Sequence, residues 1–192
     1  MKTRAILFFL LTLLVCAGPA ISAPATGLLP AVLLDVPYVA QTRDGCGSAA
    51  ISMVMRYWDS RSVHVERSGP NPADPERIQS ALYSPAARGI PASSMKRYFL
   101  DSGYRAVDFA GDWNDLQHHI REGRPLIVAL RASGRLGPLH YVVVTGIDAD
   151  GQYVFVHDPA QQESLRMSRE GFESEWKPMH HWTLLAVPQP AD

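Results

Sequence analysis

An abrupt change of character at Gly123-Arg124-Pro125 splits the chain into two kinds of secondary structure and narrows its possible folds more than any other feature. Before it, apolar residues recur at helical spacing. Ala50, Met53, Val54 and Tyr57 mark a helix over 48–58, entered through the turn Asp44-Gly45-Cys46-Gly47. Asp74 with Pro75 opens a second helix reaching about Tyr83, Ser93 or Ser94 caps a third that ends before Gly103, and Asp112 caps a fourth through Ile120. After the break come β-branched and aromatic runs at 126–131, 141–147, 153–157 and 182–187, punctuated by glycine and proline, with one short helix over 168–176 among them. The apolar stretch 28–41, with prolines at 30 and 37, reads as an extended lead-in with an edge strand, and the polar stretch 61–75 as a surface loop. Helices first and mostly antiparallel strands afterwards argue for an α+β fold, with the helical part packed on a C-terminal sheet, and against a doubly wound parallel sheet.

The first residues belong to a different kind of sequence. Met1 to Arg4 are basic, residues 5–17 carry no charge, and Gly18-Pro19 ends the run before small residues. This is the pattern of an export signal over 1–22, with cleavage after Ser22 or after Ala25, and it is too short for a stable membrane-spanning helix. Lipid attachment at Cys16 is disfavoured because Val15, not a small residue, precedes it. One domain is then expected over 23–192, in a periplasmic or secreted protein with no transmembrane anchor and no fused transporter. Its charge is -3, with 16 basic against 19 acidic side chains once Lys2 and Arg4 leave, which offers no basic surface for nucleic acid. Of the two cysteines only Cys46 remains, so a disulfide framework is excluded and a single thiol meets an oxidising compartment.

That thiol lies at or beside a helix N-terminus, where unsatisfied amides favour the thiolate form. Glycines on both sides, Gly45 and Gly47, suggest close backbone approach of a ligand, and Gln41 lies five residues upstream. A cysteine nucleophile needs a base and a group to orient the base. Of seven histidines, His140 opens the strand run His140-Tyr141-Val142-Val143-Val144, and Asp158 closes the next run before Pro159. Asp148-Ala149-Asp150-Gly151 signals a hairpin between the two runs. A loop of 149–151, with Gly151 left-handed, pairs 148 with 152 and 140 with 160, which leaves Asp158 diagonal to His140 on one face. Asp158-Pro159 also suits a plain turn. His157 is the rival base, but strand alternation points it away from Asp158. The adjacent pairs His118-His119 and His180-His181 lack the spacing of metal ligands, and Trp58, Trp113, Trp176 and Trp182 read as core anchors.

Taken together, these blocks resemble the papain-like peptidases that trim double-glycine leaders from bacteriocins, especially stand-alone relatives. The resemblance rests on 35–41 (Asp35-Val36-Pro37-Tyr38-Val39-Ala40-Gln41), 44–50 around Cys46, Gly123-Arg124-Pro125-Leu126-Ile127-Val128, 140–146 from His140, and Val156-His157-Asp158-Pro159. It departs from the family at Gly45, where Asp or Asn is usual, and at Ser48, often Pro, both of which shape the turn presenting Cys46. The resemblance implies a papain-like fold, Cys46 as nucleophile, His140 as base and then acid, Asp158 as orienter, and Gln41 with the Cys46 amide as oxyanion hole. It implies a peptide or protein substrate and calls for no cofactor and no metal. Two other readings compete: a thioester-forming acyl transferase or amidase of the same superfamily, and a peptide-binding module without turnover.

Overall fold

The computed structural model describes residues 31–61, 71–131 and 139–189. The expected export signal with Cys16, most of the polar stretch 61–75 and residues 132–138 lie outside the described residues. Five helices are described: α1 (Cys46–Ser60), α2 (Pro75–Leu82), α3 (Ala92–Asp101), α4 (Trp113–Arg121) and α5 (Arg169–Trp176). The strands are β1 (Val32–Leu33), β2 (Tyr104–Ala110), β3 (Leu126–Leu130), β4 (His140–Ile147), β5 (Tyr153–Asp158), β6 (Gln162–Ser168) and β7 (Trp182–Pro188). They form one antiparallel sheet in the order β2-β7-β3-β4-β5-β6, and β1 adds to β4 at Gly146 and Ile147, beyond the last β3 partner, Val144.

The architecture is the α+β arrangement expected, with α1 packed on β3, β4 and β7. Two strands were not legible as such. β2 precedes the change of character and presents only Tyr104 and Ala106 to the core, and β6 is an edge strand of mostly polar, exposed residues. Edge strands carry polar side chains to resist further pairing, so they lack the apolar run that marks a central strand. By contrast β4, buried from Tyr141 to Ile147, is apolar on both faces.

Helix boundaries follow local capping chemistry. Asp74 accepts from the Glu76 N–H with Pro75 at the first position of α2, Asp112 and Asp115 form a reciprocal capping box at α4, and Ser168 caps α5. α3 begins two residues earlier than a Ser93 cap would set it and three earlier than a Ser94 cap, because extended Pro91 occupies the capping position and leaves Ser93 and Ser94 in the first turn. α2 ends at Leu82, with Tyr83 already extended. Around α1 burial is nearly complete from Gly47 to Met55. Its buried hydroxyls are satisfied, Ser52 donating to the Ala73 carbonyl at 2.6 Å, and Ile51, Met53, Met55 and Tyr57 are fully buried at about 1.5–3 kcal/mol each. All four tryptophans join the core or pack on it, Trp113 and Trp176 buried, Trp58 and Trp182 partly so.

The β4–β5 hairpin differs from the expected register at one end only. Asp148 N–H donates to the Tyr153 carbonyl, so the loop is one residue longer than expected, and Ile147 pairs with Val154. A bulge at Thr145 absorbs the extra residue, and from Val144 onward the pairing is the expected one, with Val143 opposite His157. Gly151 is left-handed at φ +65° as expected, and its carbonyl receives Trp113 Nε1–H at 3.0 Å, tying the turn to α4.

Candidate active site

Cys46 is the first residue of α1, half-buried, and the free cysteine of the described residues. The preceding turn closes through Gly45 N–H to the Thr42 carbonyl (3.0 Å), with Asp44 left-handed at φ +54°. The glycines also meet a packing requirement within the protein. A Cβ at Gly45 would stand 3.0 Å from Thr42 Oγ1 and 3.1 Å from its carbonyl oxygen, and one at Gly47 would stand 3.0 Å from Ile90 Cβ. Thr42 therefore crowds the first position and the Ile90 side chain the second. A larger side chain at Gly45 would need Thr42 to give by a few tenths of an ångström. Ser48, in place of proline, donates its hydroxyl to the Gly45 carbonyl at 2.9 Å and secures the same turn.

His140 opens β4 opposite Leu130 of β3, and Asp158 ends β5. The expected diagonal holds: His140 Nε2 lies 2.7 Å from Asp158 Oδ1. The carboxylate is buried, at 5% side-chain exposure, while the imidazole keeps 28%, so the ring has an open side. Burial disfavours the imidazolium, but the Asp158 hydrogen bond, a hydrogen bond with Cys46 and the charges of both outweigh it and raise the His140 pKa to about 9. Burial would raise Asp158. The His140 hydrogen bond and charge, then the Ala160 amide and Gln161, hold it below the usual carboxylate range instead. The buried Tyr141 hydroxyl is pushed up, by burial first and then by the charge of Cys46, which places it in the field of the sulfur. The imidazole thus stands between the influence of Cys46 and a hydrogen-bonded carboxylate.

Asp158 is also a turn residue, so the plain and the functional readings of Asp158-Pro159 coexist. Gln161 N–H returns to the Asp158 carbonyl at 3.1 Å, with proline second in the turn, and Ala160 N–H donates to Asp158 Oδ1 at 2.8 Å. Gln41 is tied to this turn, its N–H donating to the Pro159 carbonyl at 2.9 Å. Its Oε1 is buried without a hydrogen-bond partner, and none of the described hydrogen bonds uses its side-chain amide, so that amide is not spent on the fold.

The rival base is accounted for. His157 Nε2 donates to the Val36 carbonyl at 2.7 Å and Nδ1 accepts from Ser164 N–H at 3.1 Å, so both nitrogens are consumed in a buried position. His181 pairs with Glu173 at 3.0 Å and sets its edge on Trp176, and His119 packs by Phe109. Among the described residues no group of three or more His, Cys, Asp or Glu is placed to hold a metal. Three residues beside the site escaped the sequence reading. Tyr38 donates to the Asp158 carbonyl at 3.1 Å, Gln161 Nε2 donates to Asp158 Oδ2 at 2.6 Å, and the Glu175 carboxyl is raised by burial and then by the charge of Asp158. Only Gln161 left a signal, as the fourth residue of a turn that begins Asp-Pro.

Residues 33–183 match the model of the peptidase C39-like family. The chain belongs to that family. Its fold is that of the papain-like C39 peptidase domains, shared with a protein described as a C39-like peptidase from Bacillus anthracis (17% identity, TM-score 0.62, covering 84% of this chain and 99% of that one). A double-glycine-motif protease from an AMS/PCAT transporter, solved with its leader peptide, is similar at 19% identity and TM-score 0.60, over 82% of this chain and 95% of that one. The peptidase domain of Streptococcus ComA, a bifunctional ABC transporter of a quorum-sensing pathway, is similar at 22% identity and TM-score 0.58, over 79% and 98%. No curated protein matches the chain. Among the described residues no helix is long and apolar enough to cross a membrane. Family membership supports cysteine peptidase function in general.

Proposed function

We propose that this C39-like family member is an exported cysteine peptidase that hydrolyses peptide bonds with Cys46 as nucleophile, His140 as base and then acid, Asp158 as orienter of His140, and Gln41 in the oxyanion hole. The observation that carries the proposal is the His140 ring held 2.7 Å from the buried Asp158 carboxylate, with its pKa raised by Cys46 as well as by Asp158. The sulfur of Cys46 attacks the scissile carbonyl while His140 holds the proton. The resulting oxyanion is met by the Gln41 side-chain amide and by the Cys46 N–H, which as a first-turn amide has no intrahelical acceptor. His140 then gives its proton to the leaving amine, and a water activated by the neutral ring cleaves the thioester. A His140 pKa near 9 keeps the ring protonated beside the sulfur at neutral pH, as the first step requires.

The basic and then uncharged opening of the chain supports export, with a signal peptide over 1–22 removed between 22 and 25 and the peptidase domain over 23–192 working in the periplasm or outside the cell. Its substrate is a peptide or protein in that compartment, with no cofactor, no nucleic acid and no attached transporter required. Cleavage of a diverse peptide library by the wild-type protein, absent with Cys46→Ala, is the expected outcome. Transfer of the acyl group to added amines in preference to water would assign the thioester to acyl transfer instead. Tight peptide binding with no product from either protein would identify a binding module.

A further inference from the structure

The two oxygens of the Asp158 carboxylate have separate partners. Oδ1 faces His140 Nε2 at 2.7 Å and also accepts the Ala160 N–H at 2.8 Å, whereas Oδ2 accepts Gln161 Nε2 at 2.6 Å. A carboxylate held through one oxygen alone can turn about its χ2 bond, a broad and roughly two-fold torsion, and carry that oxygen out of line with the ring. The contact on Oδ2 opposes such a turn. Of the described donors to the Asp158 carboxylate, Gln161 is the one that neither belongs to the backbone nor takes part in the reaction. Its backbone is fixed by the turn bond to the Asp158 carbonyl at 3.1 Å, while its side chain projects from an exposed position outside the core.

We propose that Gln161 is a positioning residue for the reaction: by donating to Asp158 Oδ2 it locks the carboxylate in the rotamer that keeps Oδ1 on His140. This rests on the proposed role of Asp158 as orienter of His140. The other charged or titratable groups around Asp158 are His140, the Tyr38 hydroxyl on its carbonyl and the Glu175 carboxyl, with Glu163 acting on Tyr38. Gln161 adds to this set a neutral donor, which holds the carboxylate without competing with His140 for its charge.

Two variants at this exposed position test the assignment, with thermal unfolding confirming that both fold. Gln161→Ala should lower kcat about tenfold at unchanged KM, since a charge-assisted hydrogen bond is lost while peptide contacts remain. Gln161→Glu reports more selectively. The introduced carboxyl can donate to Oδ2 only while protonated, and two carboxylates this close resist ionising together. Its activity relative to wild type should therefore fall about tenfold from pH 5 to pH 8, a pH dependence that loss of packing alone does not produce. Turnover within twofold of wild type for both variants across that range overturns the proposal. NMR titration of the His140 ring reads the same contact without turnover: the midpoint should lie lower in Gln161→Ala than in wild type, and an unchanged midpoint overturns the proposal as well. A wild-type protein that cleaves no peptide would defeat the peptidase reading and leave this titration to decide the role of Gln161.

Discussion

Replacing Asp158 by asparagine keeps the outline of the side chain and removes its charge, which isolates what the carboxylate does for His140. Three donors converge on it: His140 Nε2–H at 2.7 Å, Ala160 N–H at 2.8 Å and Gln161 Nε2–H at 2.6 Å. Asparagine offers one acceptor oxygen and brings a donor of its own, so at least one N–H must face another N–H in a buried place. The His140 pKa of about 9 against an ordinary 6.5 is a rise of about 2.5 units, or about 3 kcal/mol of preference for the imidazolium. Burial opposes that preference, so Asp158 and Cys46 together supply more than this net value. With Asp158 neutral the sulfur alone works against burial, and the His140 midpoint should fall by at least about one unit. Turnover should fall by up to about 10,000-fold, the scale seen when the carboxylate of a serine-protease triad is replaced by an amide. Stability should change with pH in a defined direction. Because folding raises the His140 pKa, its contribution is complete below about pH 6.5 and is lost as pH rises through about 9, so the wild-type protein should lose stability across that window and Asp158→Asn should lose less. NMR titration of the ring, pH–rate profiles and melting temperatures at both ends of the window measure the three effects. A His140 midpoint still near 9 in Asp158→Asn, or turnover within tenfold of wild type, would refute the reasoning.

Gln41→Ala should lower kcat by about 100- to 1,000-fold with little change in melting temperature, because its side-chain amide supports none of the described hydrogen bonds while one oxyanion donor is lost; steady-state kinetics beside thermal unfolding separate the two effects. His157→Leu should do the reverse. It strands the Val36 carbonyl and the Ser164 N–H in a buried place and should cost about 2–4 kcal/mol by denaturant unfolding, while turnover in the cold stays within about threefold of wild type.

The parts of the site visible in the sequence are those set by short-range chemistry. Cys46 follows a glycine-rich turn and opens a helix, His140 opens an apolar run, and Asp158 stands before a proline. Each is a local signal, and pairing His140 with Asp158 required only that two neighbouring runs form a hairpin. Tyr38 and Glu175 were invisible because their link to Asp158 spans loops and helices that no pattern relates. Tyr38 reaches the Asp158 carbonyl from 120 residues away, and Glu175 arrives through α5. The packing around the glycines beside Cys46 was invisible for the same reason. Their neighbours, the Thr42 carbonyl and the Ile90 side chain, come from the fold of the turn and from a segment 43 residues downstream of Gly47. In the fold likewise, central strands declared themselves by apolar runs, while β2 and β6, at the two sheet edges, present too little apolar surface to stand out.

The hairpin explains why a mistaken loop length left the pairing of His140 with Asp158 intact. Had the register near the turn, with Ile147 opposite Val154, continued along the strands, Val143 would face Asp158 and the carboxylate would lie on the opposite face from His140. The bulge at Thr145 removes that offset of one residue, and the structure secures the bulge on both sides. Leu34 N–H takes the Thr145 carbonyl at 2.7 Å and the Thr145 hydroxyl donates to the Phe155 carbonyl at 3.3 Å. Next along β5, His157 bridges Val36 and Ser164 and fixes the strand at the residue before Asp158. The alignment of acid and imidazole is therefore determined within five residues of the site on each strand. The turn at Gly151 lies beyond the bulge, and its length can differ without moving either group.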